Sequence, residues 1–267
     1  MTPFGELLDS YYGSTSLLKY SESGDEIRFQ VLAPIIDRQT AVFRSQAAVL
    51  NELAVSHRLS LLVGRGKYGV PEDCAFAIKA IETAVHSTDM VDGCSVSLRF
   101  EVISKRRESI TALRSTLVTE YGAEARVTTT SFNVLPPSLA NFVRRTRQFL
   151  DFADIKISRD QSCLSTIADN HFRYYPSEED RLSDGRRVDH VPALTLIDLA
   201  LFIGRMAHQG VVYSNVSAEF LNYTDPRLAF DIVQKKDDSA TEFIQQDQVV
   251  AIVYNRECSG CIGESRR

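Results

Sequence analysis

Asp189, His190 and Asp198 are the residues of this chain whose types and spacing best suit acid–base chemistry. Asp189 and His190 come just before Pro192, and an apolar segment runs from Val191 to residue 203. Imidazole titrates near neutrality, and a carboxylate in apolar surroundings titrates at a higher pH than in water unless it is paired. Both groups can therefore move protons near neutral pH. We predict His190 and Asp198 as catalytic residues.

Each of these residues also has a structural interpretation. Asp189 could cap a helix or pair with a neighbouring arginine, and His190 could bond a backbone carbonyl. Asp198 could pair with Arg205, two turns further along the same predicted helix. The sequence leaves these alternatives open.

The apolar segment predicts a helix over residues 192–207. Pro192 suits the first turn, where its missing N–H costs no hydrogen bond. Apolar residues occupy nearly every position of the segment, interrupted only by Thr195 and Asp198, which is typical of a helix buried on most sides. A strand is predicted just before it, over residues 165–175.

Composition limits the function classes. The formal net charge of −5 and the pI near 5.6 argue against nucleic acid as a main partner. No apolar run approaches the roughly 20 residues that span a bilayer, and the first residues do not resemble a signal peptide, so we expect no membrane association and a cytoplasmic location. Cys258 and Cys261 have the spacing of half a zinc site with nothing to complete it. No metal and no cofactor are predicted.

The first half of the chain combines helices with consecutive strands. Residues 1–20 are predicted as a short helix or arm, and the glycines Gly64 and Gly66 as bends in a strand rather than a phosphate loop. Three later strands with hairpin-sized links indicate an antiparallel meander. The predicted elements are a strand at 27–36, a helix at 40–57, a strand at 58–70, a helix at 71–87 and strands at 94–104, 109–120 and 124–134.

The second half repeats this order after a helical connector at residues 138–152. Strands at 211–223, 227–234 and 244–255 follow the buried helix. One buried helix wrapped by an antiparallel sheet, twice over, predicts an α+β double hotdog, with two antiparallel sheets each wrapping a central helix. The predicted divisions are an arm at 1–24, a first hotdog at 25–135, a linker at 136–160, a second hotdog at 161–257 and a tail at 258–267.

The segment from Asp189 to residue 200, DHVPALTLIDLA, resembles the DHVPGMxLLEAARQ signature of the A-factor biosynthesis (AfsA-like) hotdog family. Residues 99–107 and 120–126 and the arginines at 144 and 145 resemble that family's first meander and linker. The resemblance implies an acyltransferase that joins a β-ketoacyl thioester, on acyl carrier protein or coenzyme A, to dihydroxyacetone phosphate. The product would be the butenolide precursor of a γ-butyrolactone-type signal, or a related secondary metabolite.

Four of the departures from the signature bear on the proposed chemistry. Ala193 and Leu194 replace a glycine and a methionine, and Asp198 replaces a glutamate. Leu201 replaces the family arginine, which would suit a phosphate or carboxylate. Arg205 lies one turn further along and could reach back.

The resemblance also implies a site at the N-terminus of the helix, where free amides and the helix dipole favour an oxyanion. The amides of Ala193 and Leu194 would bind the thioester carbonyl, with His190 and Asp198 nearby. Two other functions stay open: a thioester dehydratase or thioesterase using the same residues, and a non-catalytic acyl-binding subunit. A monomer or a homodimer is expected. The predicted substrate-binding residues are Asp189, Pro192, Ala193, Leu194, Arg205, His171 and Tyr175.

Overall fold

The computed structural model describes residues 17–23, 26–32, 47–85, 95–107, 109–118, 124–143, 164–176, 190–207, 213–235 and 240–257. The chain divides into two compact units. Unit 1 comprises Met1–Asp37 and Ala48–Val143, and unit 2 comprises Arg38–Ala47 and Arg144–Arg267. Both units are built mainly from antiparallel strands. Among the helices of the described ranges, none has the length and apolar character needed to cross a membrane.

Unit 1 contains six strands in the order β1-β2-β4-β5-β6-β3. The predicted meander is confirmed as β4, β5 and β6, which pair in sequence. Residues 17–20, predicted within a helix or arm, instead belong to a strand that pairs with β2. The strands are β1 (Leu17–Ser23), β2 (Glu26–Leu32), β3 (Ala75–Val85), β4 (Ser95–Arg106), β5 (Ser109–Val118) and β6 (Glu124–Leu135).

The long helix of unit 1, α1 (Ala47–Gly66), continues well past the predicted helix end at residue 57. The predicted strand at residues 58–70 is therefore wrong for most of its length. Leu59, Leu62 and Val63 share one side of the helix and join a buried cluster with sheet residues such as Phe100. A short apolar run fits a strand or a buried helix equally well. In this segment, burial of one side of the helix favours the helix.

The predicted helix at residues 71–87 is also wrong, because β3 occupies most of this segment. Its alanines favour a helix locally, but β3 pairs along its whole length with β6, from Ala75 opposite Leu135 to Val85 opposite Arg126. A short helix, α2 (Pro137–Val143), follows β6 and confirms the start of the predicted connector. The rest of the connector lies outside the described residues.

Unit 2 contains six strands in the order β9-β12-β11-β10-β8-β7. Two predicted strands are each divided by a turn. Asn170 (φ 60°) separates β7 from β8, and Gln246 and Asp247 (φ 50° and 59°) separate β11 from β12. The strands are β7 (Leu164–Ala168), β8 (His171–Tyr174), β9 (Tyr213–Phe220), β10 (Phe230–Gln234), β11 (Ala240–Gln245) and β12 (Gln248–Glu257).

The long helix of unit 2, α3 (Ala193–Ala207), confirms the predicted apolar helix to within one residue. It lies against β12 and β9. Leu199 and Ile203 are fully buried, as are Phe230 and Phe243 of the sheet. On β12, the buried Asn255 donates from Nδ2 to the Ala200 carbonyl at 3.4 Å. The helix is thus held in its unit by apolar packing together with a side-chain bond to its backbone.

Candidate functional site

The start of α3 leaves two backbone amides without helical partners. The Pro192 carbonyl accepts the first helical bonds, from Thr195 N at 3.1 Å and Leu196 N at 3.4 Å. Pro192 is therefore the capping residue and not the first helical residue, so the helix begins one residue later than predicted. The proline side chain has no oxygen that could cap the helix. The amides of Ala193 and Leu194 come next and have no acceptor among the described residues. They lie at the positive end of the helix dipole.

A single hydroxyl group fixes the turn that leads into α3. Thr224 Oγ1 accepts from Val191 N at 2.8 Å and donates to Val191 O at 3.2 Å. Both residues are buried, with 4% and 3% of their surface exposed. Since buried backbone groups need partners, this hydroxyl satisfies both polar groups of Val191 at once. Thr224 lies in the β9–β10 loop, residues 221–229, so that loop positions the start of the helix.

His190 lies at the same corner of unit 2. Its ring is half-buried and contacts the Tyr223 ring edge-on, with 5.4 Å between ring centroids and an interplanar angle of 84°. Tyr223 precedes Thr224 in the loop, so neighbouring loop residues contact His190 and Val191 in turn. The structure therefore places the His190 ring against the β9–β10 loop, two residues before the capping Pro192.

Asp198 lies inside the helix with 1% of its surface exposed, and Thr195 is equally buried. Residues three apart in a helix share a face, so Thr195 and Asp198 form a polar stripe on α3. Five residues separate Asp198 from Ala193, which corresponds to about 7.5 Å along the helix axis. Leu201, where the AfsA-like signature has an arginine, is fully buried.

The structure does not bring Arg205 to this corner. Arg205 is exposed in the last turn of α3. Twelve residues separate it from Ala193, which corresponds to about 18 Å along the axis. Asp189, also predicted to bind substrate, lies outside the described residues, as do Cys258 and Cys261.

His171 and Tyr175 lie on the face of the sheet opposite the core. Along β8, Phe172 and Tyr174 are buried, and successive side chains of a strand point to opposite faces. His171 Nε2 lies 3.3 Å from Asp231 Oδ1. The two residues are therefore part of an outward-facing cluster, away from the buried face of β8.

The same cluster contains Arg173, whose Nη2 donates to Asp231 Oδ1 at 2.7 Å. The hydrogen bond and charge of Asp231 raise the pKa of the Arg173 guanidinium. Side chains of His171, Arg173 and Asp231 are 36%, 40% and 39% exposed, so this is a solvated charge cluster. Within the described ranges, His, Cys, Asp and Glu side chains form no group of three or more that could hold a metal ion.

Sequence reasoning missed Tyr223, Thr224 and Gln245. Gln245 is 6% exposed; its Nε2 donates to the carbonyls of Asp225 at 2.9 Å and Leu228 at 3.0 Å, and its Oε1 accepts from Asp225 N at 2.8 Å. It therefore locks the loop that carries Tyr223 and Thr224. The Asn, Asp and Pro residues near these positions indicate a loop in the sequence. Nothing local indicates that this loop contacts the start of α3.

No family model and no curated protein sequence matches this chain. Solved structures do match. The 12:0-ACP thioesterase from Umbellularia californica is 12% identical, with a TM-score of 0.53, over 89% of this chain and 99% of that one. An acyl-ACP thioesterase from Bacteroides thetaiotaomicron is 10% identical, with a TM-score of 0.55, over 87% and 98%.

A third match is the full-length peroxisomal multifunctional enzyme type 2 from Drosophila melanogaster, at 12% identity and a TM-score of 0.51. This match covers 87% of the present chain but only 49% of that enzyme. Identities this low concern the fold and not the activity. The fold of this chain is similar to the hotdog fold of the matched thioesterases.

Proposed function

We propose that this chain is an acyl-thioester enzyme, and specifically a thioesterase. The observation that carries the proposal is the start of α3, where the amides of Ala193 and Leu194 have no helical acceptor and His190 lies just before them. Two amides at a helix N-terminus can stabilise the oxyanion that forms when a thioester carbonyl is attacked. The two thioesterases matched over nearly their whole length support this choice over other chemistries.

In the proposed reaction, His190 takes a proton from the water that attacks the thioester carbonyl, and the oxyanion is held at the start of α3. Collapse of this intermediate breaks the C–S bond, and the leaving thiolate takes the proton from His190, which gives free acid and free thiol. Asp198 acts from inside the helix as a second acid–base or orienting group. Ala193 and Leu194 contribute their backbone amides. The side chain of Pro192 has no acceptor that would compete for these amides. Arg205, His171 and Tyr175 have no part in this proposed site, for the positional reasons given above.

The substrate we propose is a thioester of acyl carrier protein or coenzyme A. In this proposal the two units are two hotdogs, each with one long helix and its own antiparallel strands. Unit 1 would correspond to residues 25–135 and unit 2 to residues 161–257. An enoyl product from a 3-hydroxyacyl thioester would instead assign the chain to the dehydratases, which use the same fold and the same kinds of residues.

The second candidate is the AfsA-like acyltransferase, which the segment from His190 to Pro192 favours through its resemblance to that family's signature. Two features weaken it. Leu201 replaces the arginine that would hold a phosphorylated acceptor, and Arg205 is exposed at the far end of α3. The two matched thioesterases support the thioesterase over the acyltransferase.

Three assays separate these functions. The purified chain is incubated with saturated, 3-hydroxyacyl and β-ketoacyl thioesters of both carriers. Release of free thiol with free acid supports the thioesterase, and enoyl thioester without thiol release supports the dehydratase. An ester detected by mass spectrometry only when dihydroxyacetone phosphate is present supports the acyltransferase. No product in any assay would contradict an enzymatic role.

His190→Ala is the first variant to measure. We expect kcat to fall by about 10²- to 10⁴-fold, the usual contribution of a general base. His171→Ala is the matched control, because that histidine lies on the outward face of β8, and it should leave turnover unchanged. Equal loss in both variants, or full activity of His190→Ala, would refute the site.

A further inference from the structure

Thr224 is the one described side chain that bonds both backbone groups of Val191. Val191 precedes the capping residue Pro192, so it lies outside the hydrogen bonding of the helix. A hydroxyl can accept and donate at the same time, which a valine side chain cannot do. Removing this hydroxyl would therefore take the Thr224 partner from both the N–H and the C=O of Val191.

The loop that carries Thr224 is itself rigidly held. Gln245 bonds the backbone of Asp225 on both its N–H and C=O sides, and also the carbonyl of Leu228. Asp225 further accepts from Arg227, whose Nη2 lies 2.6 Å from Asp225 Oδ2. A loop fixed in this way can act as a template against which the start of the helix is set.

We propose that Thr224 is the positioning residue of the thioester site, acting together with Tyr223. Thr224 sets Val191, and with it the direction of the amides of Ala193 and Leu194. Tyr223 sets the orientation of the His190 ring through their edge contact. This inference rests on the proposed function for its chemistry, but the positions of His190 and Val191 can be measured without any substrate.

The first test replaces Thr224 with valine, which keeps the shape and removes the hydroxyl. We expect kcat to fall by roughly 100-fold, since small displacements of reacting groups have effects of that size, with KM changing by less than about threefold. Thr224→Ser keeps the hydroxyl and should restore at least about a third of wild-type turnover. Thr241→Val is the matched control, since Thr241 is a buried threonine paired with Val253 in the sheet of the same unit.

The second test needs no turnover. The imidazole signals of His190, assigned through the His190→Ala variant, are followed by nuclear magnetic resonance. We expect Thr224→Val and Tyr223→Leu to shift them, and Thr224→Ser and Thr241→Val to leave them at their wild-type position. Tyr223→Leu keeps both bonds to Val191, so it serves if Thr224→Val fails to fold.

The outcomes separate the two proposals. If the wild-type chain hydrolyses no thioester, the proposed function fails, while the imidazole signals still decide whether Thr224 and Tyr223 set this corner. If Thr224→Val keeps wild-type kcat, or if neither Thr224→Val nor Tyr223→Leu moves the His190 signals, the positioning role is refuted. A loss in Thr224→Val that serine does not restore also refutes it, because the hydroxyl would then not be the cause.

Discussion

The long helices of the two units bury different polar groups. In α1 the buried polar residues include Ser56 and Ser60, and Ser60 Oγ donates back to the Ser56 carbonyl at 2.7 Å. This bond stays within the helix and needs no other group. In α3 the buried polar residues are Thr195 and Asp198, which introduce an ionisable carboxylate. The two helices thus differ in the kind of ionisable group that they bury, which is the imidazole of His57 in α1 and the carboxylate of Asp198 in α3.

The strands of the two units bury different polar networks. In unit 1 the buried Arg126 donates from Nη1 to Thr83 Oγ1 at 3.2 Å, and Thr83 shares a hydrogen bond of 3.1 Å with Thr128. In unit 2 the buried Gln245 and Asn255 donate to backbone carbonyls of the β9–β10 loop and of α3. The described network of unit 1 therefore links strand side chains to one another, whereas the bonds in unit 2 link strands to a loop and a helix.

Asp198→Asn should give the largest effect and would break the comparison most directly. The variant keeps the size of the side chain and removes its charge, so we expect kcat to fall by about 10²- to 10⁴-fold if Asp198 transfers or orients a proton. Ser56→Ala in α1 is the control, because the buried Ser56 Oγ has no hydrogen-bond partner among the described residues, and its removal there leaves no new unsatisfied group. Its kcat should stay within about twofold of wild type. Full activity of Asp198→Asn would mean that the buried carboxylate of α3 has no catalytic role and does not distinguish the two helices in function.

A second pair of variants tests whether each helix stabilises its own unit. Leu59→Ala in α1 and Leu199→Ala in α3 both remove fully buried side chains. Each should lower the free energy of unfolding by about 2–5 kcal/mol, since a cavity remains. Hydrogen exchange should locate the loss in β4–β6 for Leu59→Ala and in β9 and β12 for Leu199→Ala. A loss confined to the other unit in either variant would contradict this assignment.

The smallest expected effect concerns the polar network of unit 1. Thr83→Val removes an acceptor of Arg126 and a partner of Thr128. We expect the free energy of unfolding to fall by about 1–3 kcal/mol, because buried polar groups are left unsatisfied. The control is Thr111→Val, whose hydroxyl lies 2.6 Å from Ser104 Oγ in an exposed pair that water can replace. Denaturant midpoints compare the two. Equal losses would mean that the buried network contributes no more than a surface contact.

The helix α3 follows from its long apolar run after Pro192, and the meander β4–β6 follows from strand patterns joined by hairpin-sized links. The segment from α1 to β3 does not follow from sequence pattern, because helix packing and strand pairing override its local secondary-structure preferences. Gly64 and Gly66 are predicted as bends in a strand at residues 58–70, yet an added Cβ at Gly64 would lie 3.0 Å from the Phe76 ring, so the glycine there permits close packing of helix on strand. The alanines of β3 favour a helix until β6 offers a partner along the whole strand.

Site prediction from sequence was limited in a similar way. His190 and Asp198 can be chosen by residue type, but Thr224 lies 33 positions from Val191, and only tertiary structure makes them neighbours. The placement of His171 follows from a pattern that sequence does contain. In β8 the apolar Phe172 and Tyr174 alternate with polar residues, which assigns His171 to the outer face once the segment is taken as a strand.

The position of Gln245 makes the β9–β10 loop depend on the register of another hairpin. Gln245 is the last residue of β11, opposite Gln248 across the turn, and its side chain is buried against the β9–β10 loop. A slip of one residue in this hairpin would turn Gln245 to the other face and release the carbonyls of Asp225 and Leu228. The native register of the β11–β12 hairpin is thus required for the loop to keep its shape. The corner at the start of α3 therefore depends on a strand pairing that involves none of its own residues.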